Sequence, residues 1–181
     1  KKNIMFEKDY LKKIEILTAL ILTGLVFKEY EINYNLAIKE LENDVRDFFD
    51  KDGFPLTRNP NDLLFVAKYL IFCKEIIKDA QEYIPEFLEN IIEKNLTCLN
   101  FIKCPNNQLP LFNGSSENLI NQLDEYLLTN NKKKKTENVI GGLFKLKQKN
   151  HLLFFDIGQP PKKGYSKCYQ SGPLSFEYFL D

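Results

Sequence analysis

Arg58 is the residue whose type most directly suggests binding chemistry. The 181-residue chain has 25 lysine and arginine residues, yet only Arg46 and Arg58 are arginines. Where lysine serves as the ordinary positive charge, a retained arginine indicates a need for the planar guanidinium, which binds a carboxylate or sulfate through paired hydrogen bonds. Arg58 lies in a loop-like stretch, residues 52–60, and could instead tether that loop through a carbonyl or carboxylate of the chain itself.

Asn59 follows Arg58 and could add amide donors to the same contact. Such a pair could clamp an acidic sugar, with the arginine acting by charge and the asparagine by hydrogen bonds. The dipeptide Asn59-Pro60 is also typical of a helix start, where asparagine caps free backbone N–H groups and proline occupies the first turn. Asn59 is therefore both a candidate catalytic residue and a candidate helix cap.

Four further residues could serve a sugar-binding site, each with a simpler alternative. Tyr165 and Tyr169 lie in a polar stretch where a phenol could reach a cleft, and we take Tyr165 as a candidate catalytic residue, although strand tyrosines commonly pack. Asn113 could bind substrate, or could adopt a left-handed turn before Gly114. Glu177 alternates with an apolar face and could point to solvent or to a domain interface, where it is a candidate substrate-binding residue.

Cysteine and histidine usage argues against a metal centre. The four cysteines show no CxxC spacing and His151 is the only histidine, so a tetrahedral site would need improbable convergence. We expect neither a metal nor a cofactor. His151 opens a predicted strand and is interpreted as an edge or surface residue rather than as a base.

The charge pattern gives no reason to expect nucleic acid or membrane as partners. The formal net charge is zero, so no global field attracts a polyanion. The lysine run at 132–135 is typical of a solvated linker. The longest apolar run, residues 14–27, is too short to span a membrane and includes Glu15.

Most of the chain has helical periodicity. Apolar residues at three- and four-residue spacing predict helices at 10–28 and about 34–49, a third beginning at Pro60, and a fourth opening at Pro85. A fifth helix is expected after Ser115 or Ser116, carrying Leu119, Leu123 and Leu127. Antiparallel helices joined by short connections fit a helix-pair toroid and a plain bundle equally well.

The last part of the chain has strand-like alternation. Residues 139–146, 151–157 and 173–180 are predicted strands. Helices and strands are segregated, which indicates an α+β fold. We expect a helical domain at 1–130, a basic linker at 131–138 and the start of an antiparallel β-sandwich at 139–181.

Five short stretches, in this order and spacing, resemble the heparinase II/III-like family, and alphaproteobacterial members of it most. They are LTGLVF at 22–27, DGFPLTRNP at 52–60, LFNG at 111–114, LFFDIGQPP at 153–161 and GPLSFE at 172–177. The resemblance implies a helical toroid followed by a β-sandwich, with an acidic polysaccharide bound between them. It also implies an internal fragment of a longer protein, and a location in the periplasm or cell envelope.

The activity implied by the resemblance is β-elimination at a uronic acid. Such a lyase needs a group that neutralises the sugar carboxylate, a base and an acid. The sequence departs from the family where related proteins often carry histidine, with Pro55 at one position and Gln170 at the other. Gln170 can still hydrogen-bond a sugar, so it is a candidate substrate-binding residue, but it cannot act as a base.

Two other functions remain open on the sequence. The chain could be a non-catalytic carbohydrate-binding or envelope-assembly module that keeps the fold without the chemistry. It could also be a structural helical domain with no sugar cleft.

Overall fold

The structure is a computed structural model that describes residues 7–120, 123, 125–127, 138–169 and 175–180. Helices precede a four-stranded antiparallel sheet, as the α+β prediction requires. The elements are helices α1 (Tyr10–Val26), α2 (Glu31–Phe48), α3 (Pro60–Asp79) and α4 (Glu86–Ile102), a short 3-10 helix (Lys28–Tyr30), and strands β1 (Val139–Ile140), β2 (Leu143–Gln148), β3 (His151–Asp156) and β4 (Phe176–Leu180).

The chain forms two compact units, the first from residues up to 48 with 65–92, and the second from 49–64 with 93 onward. Most of the linker predicted at 131–138 lies outside the described residues, so the predicted domain boundaries stay a prediction. No helix in the described part of the chain is long and apolar enough to cross a membrane.

The first unit is built on close packing of α1 against α2. Asp9 caps α1 by accepting a hydrogen bond from Leu11 N at 3.2 Å. At Gly24 the helices approach so closely that an added Cβ would lie 2.6 Å from Tyr34 N. A 2.6 Å ion pair from Lys13 on α1 to Asp44 on α2 joins the same two helices. Helical periodicity therefore predicted these elements well, because their apolar faces meet each other.

The loop before α3 is a tight turn, closed by the pairing of Phe49 with Pro55. Gly53 has φ of +85°, and a Cβ there would lie 2.5 Å from the Lys94 Cβ of α4. The buried Asn95 of α4 donates to Gly53 O at 2.7 Å. The loop is thus fixed to α4 by close backbone approach as well as by hydrogen bonding, and only glycine fits at the contact.

The sheet has strand order β1-β2-β3-β4 with every pair antiparallel. The single strand predicted at 139–146 is wrong in one respect: it is two strands. Gly141 and Gly142 turn the chain between them, with φ of +56° and +76°. Residues 173 and 174 of the third predicted strand lie outside the described residues. A second sheet is not seen in the described part of the chain, so the sandwich stays a prediction.

The fifth helix does not begin at Ser115 or Ser116. Residues 115–120 are non-helical, and Leu119 pairs with Gln108 in an antiparallel bridge. Ile120 N donates to Asn107 O at 3.0 Å, which extends this pairing. Of the residues described in this stretch, helical backbone is found at 125–127. The apolar spacing misled because Leu119 is 53% exposed and does not share a helical face with Leu123.

Candidate functional site

A cleft of about 300 Å³ lies within the second unit. Three segments form its walls: the loop before α3, the turn between β1 and β2, and the segment that follows β3. Arg58 and Tyr165, two of the candidate residues, both line it. The antiparallel register explains the meeting, because it places the end of β3 beside the start of β2.

The Arg58 guanidinium is bound by the chain itself. Nε donates to Gly141 O at 3.2 Å and Nη1 donates to Gln159 O at 3.0 Å. Nη2 forms an ion pair with Asp156, whose side chain is fully buried at the end of β3. Arg58 itself is 8% exposed and has φ of +58°, a left-handed conformation that is uncommon for a residue other than glycine.

Two glycines leave room for this guanidinium. A Cβ at Gly142 would lie 2.7 Å from Arg58 Nη2, and a Cβ at Gly158 would lie 2.5 Å from Arg58 Cζ. The guanidinium therefore occupies space that a side chain at either position would fill. These contacts make Arg58 a tether between segments of the chain. A role for Arg58 in binding an anionic substrate stays a prediction.

Asn59 and Asn113 support the same loop from positions that do not line the cleft. Asn59 Oδ1 accepts from Asn61 N at 2.8 Å, which is the helix-cap arrangement. Asn113 has φ of +57°, the left-handed conformation, and its buried Nδ2 donates to Arg58 O at 2.9 Å. Both simpler alternatives are therefore observed, and Asn113 directly bonds the backbone of Arg58.

Sequence reasoning missed two ionisable lining residues, Lys162 and Asp50. Lys162 is exposed, and its carbonyl accepts from Tyr165 N at 2.8 Å in the turn that presents both side chains. The prolines at 160 and 161, which end the strand-like pattern, could have indicated this turn. No sequence motif marked Asp50 as a residue of the cleft.

Asp50 is a half-buried carboxyl group in the wall of the cleft. Its Oδ1 accepts from Asp52 N and from Phe54 N, each at 2.9 Å. Burial raises the pKa of Asp50 above its ordinary value, and the hydrogen bonds from Phe54 and Asp52 offset part of that rise. The cleft therefore contains an acid that is harder to ionise than an exposed aspartate.

The last two candidates lie elsewhere. Glu177, on β4, is not a lining residue, and it accepts a hydrogen bond from Leu111 N. Burial raises the pKa of Glu177. Gln170 lies outside the described residues. Tyr169, the alternative tyrosine, does not line the cleft.

A second polar cluster lies on the face of the sheet that carries Glu177. Lys145 of β2 lies opposite Phe154 of β3, which lies opposite Glu177 of β4. Lys145 Nζ lies 5.3 Å and 5.4 Å from the ring centroids of Phe101 and Phe154. Burial, followed by the charge of Lys147, lowers the pKa of Lys145 to about 8. This cluster joins the sheet to the end of α4, since Lys145 also donates to Phe101 O.

Metal-ligating side chains do not gather in the described residues. No group of three or more histidine, cysteine, aspartate or glutamate side chains there could hold a metal ion.

Comparison with known proteins gives a structural match and no sequence match. No family model matches the chain, and no curated protein matches it. The crystal structure of heparinase III matches it with a TM-score of 0.78 at 13% sequence identity. The match covers 96% of this chain and 34% of heparinase III, so the chain spans about a third of that protein. At this identity the likeness shows the fold alone: the chain has an α+β fold like that of heparinase III.

Proposed function

We propose that this chain is part of a protein that binds an acidic polysaccharide in the cleft of the second unit and cleaves it by β-elimination at a uronic acid. One observation carries the proposal. Arg58 lines one cleft with Lys162 and Tyr165, which lie far from it in the sequence, in a fold like that of a heparinase. A location in the periplasm or cell envelope belongs to the same proposal and rests on the family resemblance.

The chemistry assigns separate tasks to Lys162 and Tyr165. In β-elimination the proton on the carbon beside the carboxylate leaves, a carbon–carbon double bond forms, and the bond to the leaving sugar oxygen breaks. That oxygen then takes up a proton. Lys162 supplies positive charge against the sugar carboxylate, which makes the adjacent proton more acidic. Tyr165 is the group that transfers protons: its phenolate takes the proton from the carbon, and the phenol so formed gives that proton to the leaving sugar oxygen.

Non-catalytic binding is the second candidate, and a specific observation favours it. All three guanidinium nitrogens of Arg58 already donate to acceptors of the chain. No histidine lines the cleft in the described part of the chain, since His151 lies on β3 and contacts Tyr178. A cleft of this kind could bind an acidic sugar without carrying out the elimination.

The test is to titrate the 181-residue protein with polyuronates, heparin and a neutral glucan by calorimetry. The absorbance of unsaturated uronic ends is followed in the same mixtures. Binding of polyuronate together with new absorbance supports the lyase, and binding without absorbance supports the non-catalytic module. Failure to bind any acidic polysaccharide would overturn the proposal.

Two variants separate the tasks of the cleft residues. Tyr165→Phe should leave binding nearly unchanged and reduce turnover by about a hundredfold or more, the usual contribution of a general acid or base. Lys162→Gln should weaken binding. Tyr83→Phe is the matched control, because Tyr83 is 80% exposed and belongs to the first unit.

A further inference from the structure

We infer that Asp50 is a ligand-binding residue of the cleft whose carboxyl group takes up a proton when a carboxylate-bearing sugar binds, and then donates that proton in a hydrogen bond to the sugar carboxylate. The inference rests on the proposed function, since it names the group by which the same cleft would recognise a uronate. No covalent bond to the sugar forms or breaks in this step. One proton moves from solvent to Asp50.

The first support is the position of the carboxyl group. Asp50 lines the cleft together with Lys162 and Tyr165. Both hydrogen bonds from Asp52 N and Phe54 N end on Oδ1. These two bonds leave Oδ2 for a ligand, beside a smaller contribution to the carboxyl group from the backbone of Gly53. A protonated carboxyl group can use Oδ2 as a donor while Oδ1 keeps its two backbone bonds.

The second support is the charge that faces Asp50. The neighbouring Asp52 adds negative charge from the same loop. Across the cleft, the charge of Arg58 is paired with Asp156. Lys162 forms no ion pair within the described residues and is thus left to balance a ligand. One lysine cannot compensate both an ionised Asp50 and a sugar carboxylate beside it, and two adjacent carboxylates raise the pKa of one of them.

The third support is that burial favours the protonated form of Asp50. Burial already raises the pKa of Asp50 before any anion is present. An incoming carboxylate raises that pKa further, so binding near neutral pH is coupled to proton uptake. If Asp50 only organised the turn, Oδ1 would carry that role and binding would not change its protonation.

The Asp50→Asn substitution tests the inference because asparagine resembles the protonated acid. Its Oδ1 can accept the same two backbone hydrogen bonds, and its Nδ2 can donate to a sugar carboxylate. We therefore expect the variant to fold and to bind. In the wild type, affinity should fall by up to about tenfold per pH unit above the pKa of Asp50. In the variant, affinity should be nearly independent of pH.

The measurement is calorimetric binding of a polygalacturonate oligomer in two buffers that differ in ionisation enthalpy. Working above about pH 5 keeps the sugar carboxylates ionised. Wild type should take up close to one proton per bound site, and Asp50→Asn should take up none. Asp47→Asn, which changes an exposed aspartate, is the matched control and should behave as wild type.

The outcomes distinguish this inference from the proposed function. Binding of the oligomer without proton uptake, or equal uptake by Asp50→Asn, would overturn the inference and leave the proposed function standing. Absence of binding would overturn both. If the variant fails to fold, carbon-13 titration of the Asp50 carboxyl in wild type decides. A pKa that rises on addition of oligomer supports the inference, and an unchanged pKa overturns it.

Discussion

At the scale of single residues, the guanidinium of Arg58 joins three segments of the second unit. It bonds the turn after β1, the end of β3 and the segment that follows β3. The sequence marked Arg58 as unusual because arginine is rare in this chain. It could not show Asp156 as the partner, because the two residues are 98 positions apart and Asp156 reads as an ordinary strand end. The sequence predicted that Arg58 would bind a group such as a carboxylate, but it did not predict whether that carboxylate belongs to a substrate or to the chain itself.

Arg58→Lys should lower the free energy of unfolding by about 1–3 kcal/mol, the scale of hydrogen bonds to a charged group. Lysine keeps the charge but cannot reach Gly141 O, Gln159 O and Asp156 together. Urea unfolding followed by circular dichroism measures the loss. Arg46→Lys is the control, because the exposed Arg46–Glu42 pair within α2 should contribute less than about 1 kcal/mol.

Affinity measured on the same Arg58→Lys protein decides between the two roles of Arg58. Unchanged affinity for polyuronate alongside lower stability would establish the tether. Weaker binding at unchanged stability would establish a substrate contact.

Gly158→Ala should destabilise the protein by about 1–3 kcal/mol, the usual cost of overpacking. The added methyl group would lie 2.5 Å from Arg58 Cζ, so the guanidinium or the strand end must move. Gly164→Ala is a close control, since a Cβ there meets nothing within 4 Å. Thermal midpoints of the two variants test the expectation, and equal midpoints would contradict it.

At the scale of elements, periodicity predicted what local packing decides. Helices α1 to α4 agree with their predicted spans to within a few residues, because each carries a continuous apolar face. Residues 139–146 were wrongly predicted as one strand because the alternation continues across the positive-φ glycines at 141 and 142. The cleft could not be predicted from any one element, because its walls belong to three separate segments.

Strand β2 carries a lysine whose charge opposes folding. The pKa of Lys145 falls from 10.5 to about 8 in the folded protein because the ammonium is largely buried. When the pKa of a lysine is lower in the folded protein than in the unfolded chain, the lysine lowers the free energy of unfolding at every pH where it is charged in both states. The free energy of unfolding therefore rises as the pH rises from about 8 to 10.5, and the cost of the buried charge is fully present below about pH 8.

Lys145→Met should raise stability at pH 7 by on the order of 1 kcal/mol, since methionine can pack against Phe101 and Phe154 without the cost of a buried charge. The gain is smaller than the free energy equivalent to the whole pKa shift, because the substitution also removes the hydrogen bond from Lys145 to Phe101 O. The advantage over wild type should shrink as the pH rises toward 10.5. Urea unfolding at several pH values tests this, with the exposed Lys39→Met as control. A variant less stable than wild type at pH 7 would contradict the expectation.

At the scale of the whole molecule, the sheet presents an apolar face to solvent. Phe176, Tyr178 and Leu180 are 64%, 53% and 70% exposed, and Leu146 of β2 lies on the same face. Contiguous apolar surface of this kind usually marks an interface or a tendency to associate. A second sheet packed on this face would make the predicted sandwich.

The 181-residue protein should therefore bind an apolar dye such as ANS and self-associate with increasing concentration. Phe176→Ser combined with Leu180→Lys should reduce both effects several-fold, because it removes apolar area from the exposed side of β4. Light scattering and dye fluorescence provide the measurement. Tyr83→Ser, which removes an isolated exposed aromatic residue, should change neither. Equal association by all three proteins would place the association surface elsewhere.

The long sequence separation of the Arg58 contacts also determines when the cleft can form during synthesis. The acceptors of the guanidinium lie 83, 98 and 101 residues after Arg58. A nascent chain that has left the ribosome only as far as α4 has no Asp156 to pair with this charge. Its left-handed loop must stay hydrated until the strands emerge. The loop before α3 is thus synthesised early and completed late, and its charge waits for partners that are among the last parts of the second unit to be made.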